Sequence, residues 1–221
     1  MSDKDLVPAA GKPDEGSRLE RTATTLVSKL VDAGIEGVGP LDPATQSADA
    51  ARSRASSTEQ AIDEIVATHL KLAAAGGFVT GLGGFITLPV ALPVNVVGFY
   101  GIATRMVASI AHLRGYDLER PEVRSAVLLT LVGADARSLL AKSGVSPTGK
   151  IADLALQRLP GPALMVLNKG IGFNLLSQLG KKGLSRLGRG LPLVGGVVGG
   201  GLDYFLLRKI ADSARREFVQ R

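Results

Sequence analysis

Charge disappears from the chain between Lys71 and Arg105. The 33 residues Leu72 to Thr104, LAAAGGFVTGLGGFITLPVALPVNVVGFYGIAT, hold no charged side chain, but seven glycines and the prolines Pro89 and Pro93. A straight helix of that length would run about 50 Å, against a hydrocarbon core of roughly 30 Å. Proline removes a backbone donor and clashes with the preceding turn. The pattern therefore predicts two apolar arms, Leu72–Leu88 and Val94–Leu113, hinged at LPVALP. The first arm is at the short end for a membrane span, and the second meets Arg105 soon after its start. A shallow hairpin or re-entrant insertion fits these lengths better than two full spans. Its hinge would have to lie at the interface or within protein, because lipid cannot satisfy bare backbone.

Elsewhere the apolar positions recur at helical spacing and no run alternates as a strand does. Ser17 and Glu20 fit a capping box, opening a helix with Leu19, Ala23, Leu26, Leu30 and Val31 on one face and Gly34 as its stop. Residues 1–16, and the Pro-, Ala- and Ser-rich stretch from Gly34 to Ser57, are expected to be disordered lead-in and linker. Thr58–Leu72 is a helix that could continue into the first arm. Pro121 opens another through about Lys142, with Val123, Val127, Leu128, Leu131 and Leu139 or Leu140 inward and Gly144 ending it. Helices around Lys150–Leu159 and Ala163–Leu179 follow. The last element begins glycine-rich and becomes an amphipathic helix carrying Tyr204, Phe205, Leu207, Ile210, Ala214 and Phe218. The expected fold is all-α: residues 57–221 form a multi-helix domain around a glycine- and proline-interrupted apolar hairpin. Residues 1–56 precede it as a largely disordered segment with one short helix.

Composition sharpens this picture. Hydrophobic residues make up 45% of the chain, yet aromatics are 4% and Trp is absent. Small residues let helices approach closely, and they recur at four-residue spacing in Ala73, Gly77 and Gly81, in Gly195 and Gly199, and in Gly196 and Gly200. The net charge of +6 is uneven: residues 1–66 carry −5 and residues 67–221 carry +11. From Leu154 to Leu202 there is no acid, against Arg158, Lys169, Lys181, Lys182, Arg186 and Arg189. Such a field attracts polyanions, but few aromatic platforms exist for stacking on bases, so no nucleic-acid partner is expected. The absence of cysteine excludes disulfides and thiolate metal sites. The charged N-terminus lacks an apolar signal core.

Catalytic chemistry has thin support. Gly144 to Ile151, GVSPTGKI, approaches a phosphate-binding loop but puts Ile151 where Ser or Thr should hold magnesium, and it follows a predicted helix rather than a strand. His112 and Asp117, with Arg105 two helical turns earlier, are the best polar group near the apolar stretch, although no nucleophile or metal partner completes them. A capping and ion-pair role weighs more. His69 reads as a half-buried helix residue. No cofactor and no metal are expected.

The blocks GLGGFITLPVALPVNVVGFYGIATRMVASIAHLRGYDLERPEVRSAVLL, LPGP with NKGIGFNLL, and LPLVGGVVGGGLDYF with ADSARREF resemble the EcsC family over roughly residues 58–221. Gly84, Leu88, Pro89, Pro93, Arg105, Gly115, Tyr116, Asn168, Lys169, Pro192, Gly195, Gly196 and Asp203 match its recurring blocks. The family takes its name from a bacterial protein encoded beside ABC transporter subunits. The resemblance thus implies membrane association, with an accessory role beside a transporter as an alternative, and carries no active site.

Together these readings predict a non-enzymatic protein on the cytoplasmic face of a membrane, bound to anionic lipid; a soluble cytoplasmic protein is the alternative. Phe78, Phe85, Ile86, Leu88, Pro89, Pro93 and Phe99 are expected to face lipid. Arg105, Lys169, Lys181, Lys182, Arg186 and Arg189 are expected to meet headgroups. Further partners would be an integral membrane protein, or another copy through the small-residue faces. The competing class is a membrane-surface hydrolase using His112 and Asp117.

Overall fold

A computed structural model of the chain describes residues 15–37, 42–82, 94–146, 149–151, 153, 160–186 and 192–221. Among these there are α-helices and turns and no strand, so the all-α expectation holds. The helices are α1 (Glu15–Val31), α2 (Ala44–Arg54), α3 (Thr58–Leu82), α4 (Val94–Leu113), α5 (Pro121–Val132), α6 (Ala136–Lys142), α7 (Gly161–Arg186) and α8 (Pro192–Glu217).

Several expected stops are where the sequence puts them. Gly115 ends α4 at φ +86°, with Tyr116 N–H donating to Ala111 O at 3.0 Å. Gly144 follows α6 at φ +74°, with Val145 N–H donating to Leu140 O at 3.0 Å. Both close the helix with a left-handed glycine that a β-carbon would strain. The helix expected from Pro121 to Lys142 is interrupted, because Gly133 takes φ +67° and a 3₁₀ turn over Gly133–Asp135 separates α5 from α6. Gly34 is not a stop. It sits in a π turn over Asp32–Glu36, where an added Cβ would stand 2.5 Å from Thr104 Cβ, and the helical path ends at Gly37. Glycine here permits close approach of α4.

Part of the stretch expected to be linker is helix. In α2, Ala44, Ala48 and Ala51 are buried against α3 and α4, and Ser109 Oγ donates to Ala44 O at 3.0 Å. One apolar core contains Leu26, Leu30 and Ile35 of the leading region together with Ile62, Met106, Ile110, Leu128, Leu167, Leu207 and Phe218. Residues from Leu26 to Ala51 thus contribute side chains to the same core as the rest.

The helix directions follow from their contacts. Arg114 at the end of α4 pairs with Glu59 at the start of α3 (2.6 Å), and Arg215 near the end of α8 pairs with Asp63 (2.5 Å). Arg221 N–H donates to Arg114 O at 3.1 Å, and Tyr116 stacks edge-on against Phe218 at 5.1 Å. Therefore α4 and α8 both run antiparallel to α3, and their near ends form a charged pole. At 1.5 Å per residue, the far ends of α3 and α8 lie more than about 30 Å away. Ser125 donates to Asn168 and Asn174 to Asp135, so α7 runs alongside α5 in the same sense, whereas Gly170 lies against Leu139, so α6 passes α7 in the opposite sense. The chain reaches the start of α8, at that far pole, only six positions after α7 ends, and this short connection keeps the C-terminal end of α7 near it.

Candidate functional site

The far pole gathers the ends of the uncharged stretch. There α3 ends at Leu82, α4 begins at Val94 and α8 begins at Pro192, each in sequence free of charge. The last turns of α7 bring the positions of Lys181, Lys182 and Arg186 to this end. α3 and α8 make the most extensive helix pair among the described residues. With Asp63 opposite Arg215, their antiparallel register sets Gly77 and Gly81 alongside Gly196 to Gly200. The two small-residue runs singled out in the sequence thus lie on one helix pair within the same chain.

Other expected site residues fare differently. Phe99 is only 9% exposed and packs edge-on against Tyr100, with ring centroids 5.4 Å apart, so its ring belongs to the protein's own core. Phe78, Lys181, Lys182 and Arg186 are placed by their helix backbone alone. Phe85, Ile86, Leu88, Pro89, Pro93 and Arg189 lie outside the described residues. Lys169 is half-buried and has an interaction partner.

Arg105 turns inward. Its Nη2 donates to Ser47 Oγ of α2 at 2.5 Å while its Nε is buried without a hydrogen-bond partner. Burial lowers its pKa, and the nearby Asp42 carboxylate works against that shift. His69 of α3 shares this neighbourhood. Its Nδ1 lies 2.7 Å from Ile65 O, and its Nε2 is buried and unpaired. Desolvation lowers its pKa to about 4, opposed by the backbone hydrogen bond and assisted by the positive charge of Arg105. A neutral imidazole beside a guanidinium is the form this site favours.

His112 and Asp117 do not pair. His112 Nε2 is 2.9 Å from Asp49 Oδ1 on α2, and Asp117 Oδ1 accepts the Glu119 N–H at 2.9 Å in a local turn. Their geometry is that of an inter-helix polar contact and a capped turn. The GVSPTGKI stretch likewise forms turns where it is described: Gly149 takes φ +87°, and Lys150 N–H donates to Asp153 Oδ2 at 2.8 Å. Among the described residues no group of His, Cys, Asp and Glu is placed to hold a metal ion.

Sequence reasoning missed a second surface. On α8, Leu202, Tyr204 and Phe205 are exposed, with Leu72 on α3 also open. Tyr204 and Phe205 read as members of an inward amphipathic face, but the buried positions are Leu207, Ala211, Ala214 and Phe218. Phe205, two positions before Leu207, falls on the opposite side of the helix from that stripe, and Tyr204, three positions before it, falls at its edge. The signal lay in the small Ala211, which only a helical wheel centred on Leu207 would select.

No described helix is long and apolar enough to cross a membrane. Residues 17–145 match the model of the EcsC protein family. That match opens in α1 and takes in α2, whereas the resemblance read from the sequence began near residue 58. No curated protein and no solved structure matches the chain.

Proposed function

The chain belongs to the EcsC protein family, and from that premise we propose that it is a membrane-associated helical protein that docks on anionic lipid by its far, apolar pole. The observation that carries this reading is the convergence of helix ends there. Three of them carry uncharged sequence and the fourth is the cation-bearing end of α7. Ion pairs such as Glu59 with Arg114 and Asp63 with Arg215 sit at the opposite pole. An apolar tip beside cations is the arrangement an interfacial protein presents to acyl chains and phosphates. Each cation near an anionic surface contributes about 1 kcal/mol.

This role needs no catalytic residue. The separate partners of His112 and Asp117 favour this reading over a membrane-surface hydrolase.

Flotation of the purified protein with phosphatidylcholine vesicles, and with equal parts phosphatidylcholine and phosphatidylglycerol, tests the proposal. Flotation with the anionic vesicles is the expected result. Loss in high salt would indicate electrostatic docking, and resistance to salt and carbonate would indicate insertion of the apolar pole. No flotation under any condition would overturn the reading.

A further inference from the structure

The side of α8 turned away from the core has a pattern of its own. Leu207, Ala211, Ala214 and Phe218 are buried against the rest of the bundle. On the opposite side Leu202, Phe205, Lys209, Asp212 and Arg216 are all exposed, and Val219, two positions past the helix, extends the row. These positions advance alternately by three and four residues, as the a and d positions of a coiled-coil heptad do. Leu202, Phe205 and Val219, 43%, 53% and 40% exposed, put apolar surface toward both ends of the row, and its middle is charged. Lys209 lies across the Phe205 ring at 4.6 Å. On the α3 flank the row borders a groove of about 400 Å³ in which Asp63, Lys71, Arg208, Asp212 and Arg215 mix both signs of charge.

We propose that this face pairs with the same face of a second copy of the chain, the two α8 helices running antiparallel. In an antiparallel coiled coil each a position meets a d position of its neighbour. With the two-fold axis passing between Ile210 and Ala211, Leu202 meets the second copy's Val219, Phe205 meets Arg216 and Lys209 meets Asp212, each contact occurring twice. Apolar stands against apolar, an aromatic ring against a guanidinium, and an ammonium against a carboxylate. A parallel pair in register would set Lys209, Asp212 and Arg216 each against itself. Sliding the antiparallel pair by one heptad would put Leu202 against Asp212 in one direction and Lys209 against Val219 in the other. Charge complementarity therefore selects a second copy, in one register, as the occupant of this face.

The antiparallel orientation has a functional consequence, which rests on the docking reading above as the pairing itself does not. Pro192 lies about 28 Å along α8 from the axis, so the two apolar poles stand about 55 Å apart and face opposite ways. Each start of α8 projects about 18 Å past the end of its neighbour's helix. The pair thus offers one lipid-docking tip to each of two membranes. Bridging two anionic surfaces is the function that the pairing adds.

The chain has no cysteine, so single cysteines in the full chain report the register. A mixture of Leu202→Cys and Val219→Cys is expected to give a covalent dimer with a short bis-maleimide. Either variant alone is not, because two copies of one position stand about 25 Å apart. Asp212→Lys should raise the dimer dissociation constant about ten-fold in sedimentation equilibrium, with unchanged helix content by circular dichroism, and the exchanged pair K209D/D212K should restore it. Cross-linking of L202C alone would show a parallel pair and overturn the proposal. A monomer at every concentration, with no cross-link from the mixture, overturns it too, and a blue shift of Phe205→Trp emission on vesicles would then assign the face to lipid. The parent protein is expected to raise the turbidity of vesicles of equal phosphatidylcholine and phosphatidylglycerol, while D212K floats with them and clusters them less. Flotation without clustering, where the cross-link forms, overturns the bridge and leaves docking and pairing standing. A cross-linked pair that never floats removes docking and bridge together and leaves the pairing.

Discussion

Gly172 of α7 lies so close to Ala23 of α1 that a Cβ added to it would stand 2.4 Å from the Ala23 carbonyl oxygen. Backbone cannot yield as a flexible side chain does. Gly172→Ala should therefore cost about 1–3 kcal/mol as an overpacked contact, read as a lower urea midpoint. Gly101 of α4 is the counter-case, with open space around the same added atom. There the helix gains alanine's lower unfolded-state entropy, and Gly101→Ala should stabilise by about 0.5–1 kcal/mol in the same assay. A reversed order would mean that α1 and α7 are not in contact in solution.

His69 makes folding depend on pH. Its folded pKa of about 4 is below the ordinary 6.5, because burial penalises the imidazolium. Between those values the unfolded chain binds the proton and the folded one does not. Stability is therefore full above about pH 6.5 and falls as the pH drops toward 4. The loss at pH 5 should be about 2 kcal/mol, measured by urea unfolding at pH 7 and pH 5. His69→Leu should flatten that difference. An equal slope in the variant would assign it to other groups.

The first helix should be indispensable. Leu26 and Leu30 of α1 are fully buried in the shared core, so Leu30→Ala should cost about 2–5 kcal/mol through lost contacts and a residual cavity. Thermal unfolding of that variant would show one transition at lower temperature. An unchanged transition would mean α1 folds independently of the rest.

The inter-helix pair His112–Asp49 is a surface contact, with side chains 32% and 70% exposed. Asp49→Asn should change stability by no more than about 1 kcal/mol. Arg105→Gln should cost more than this in the same unfolding measurement, since it removes a half-buried guanidinium held by Ser47.

What the sequence disclosed, and what it concealed, follows from how each signal is generated. Gly115, Gly144 and Pro121 mark helix ends by backbone chemistry that operates locally, and they stand where expected. The second arm, Val94–Leu113, coincides with α4, while the first continues without a break from Thr58. α2 escaped notice because its buried face is Ala44, Ala48 and Ala51. Alanine contributes little hydropathy, so a helix packed through it looks like linker. Gly34 and Gly133 have the same composition signal and opposite uses, a close approach and a left-handed break, and only the neighbouring Thr104 and the backbone angle tell them apart. The candidate site was half legible. The uncharged run and the acid-free run announce themselves, but that their ends meet depends on Asp63 facing Arg215, a contact 152 residues apart in sequence. Lys71 and Arg208 become neighbours through the same long-range pairing, which no local window contains.

The acid-free run from Leu154 to Leu202 bears on the tempo of binding as well as its strength. Cations concentrated toward one end of an elongated bundle would turn that end toward a negative surface during the last Debye length of approach, about 8–10 Å in ordinary salt. The bundle would then arrive tip first. Its arrival rate would drop as salt is added, while its residence time, set by apolar area, would hardly change.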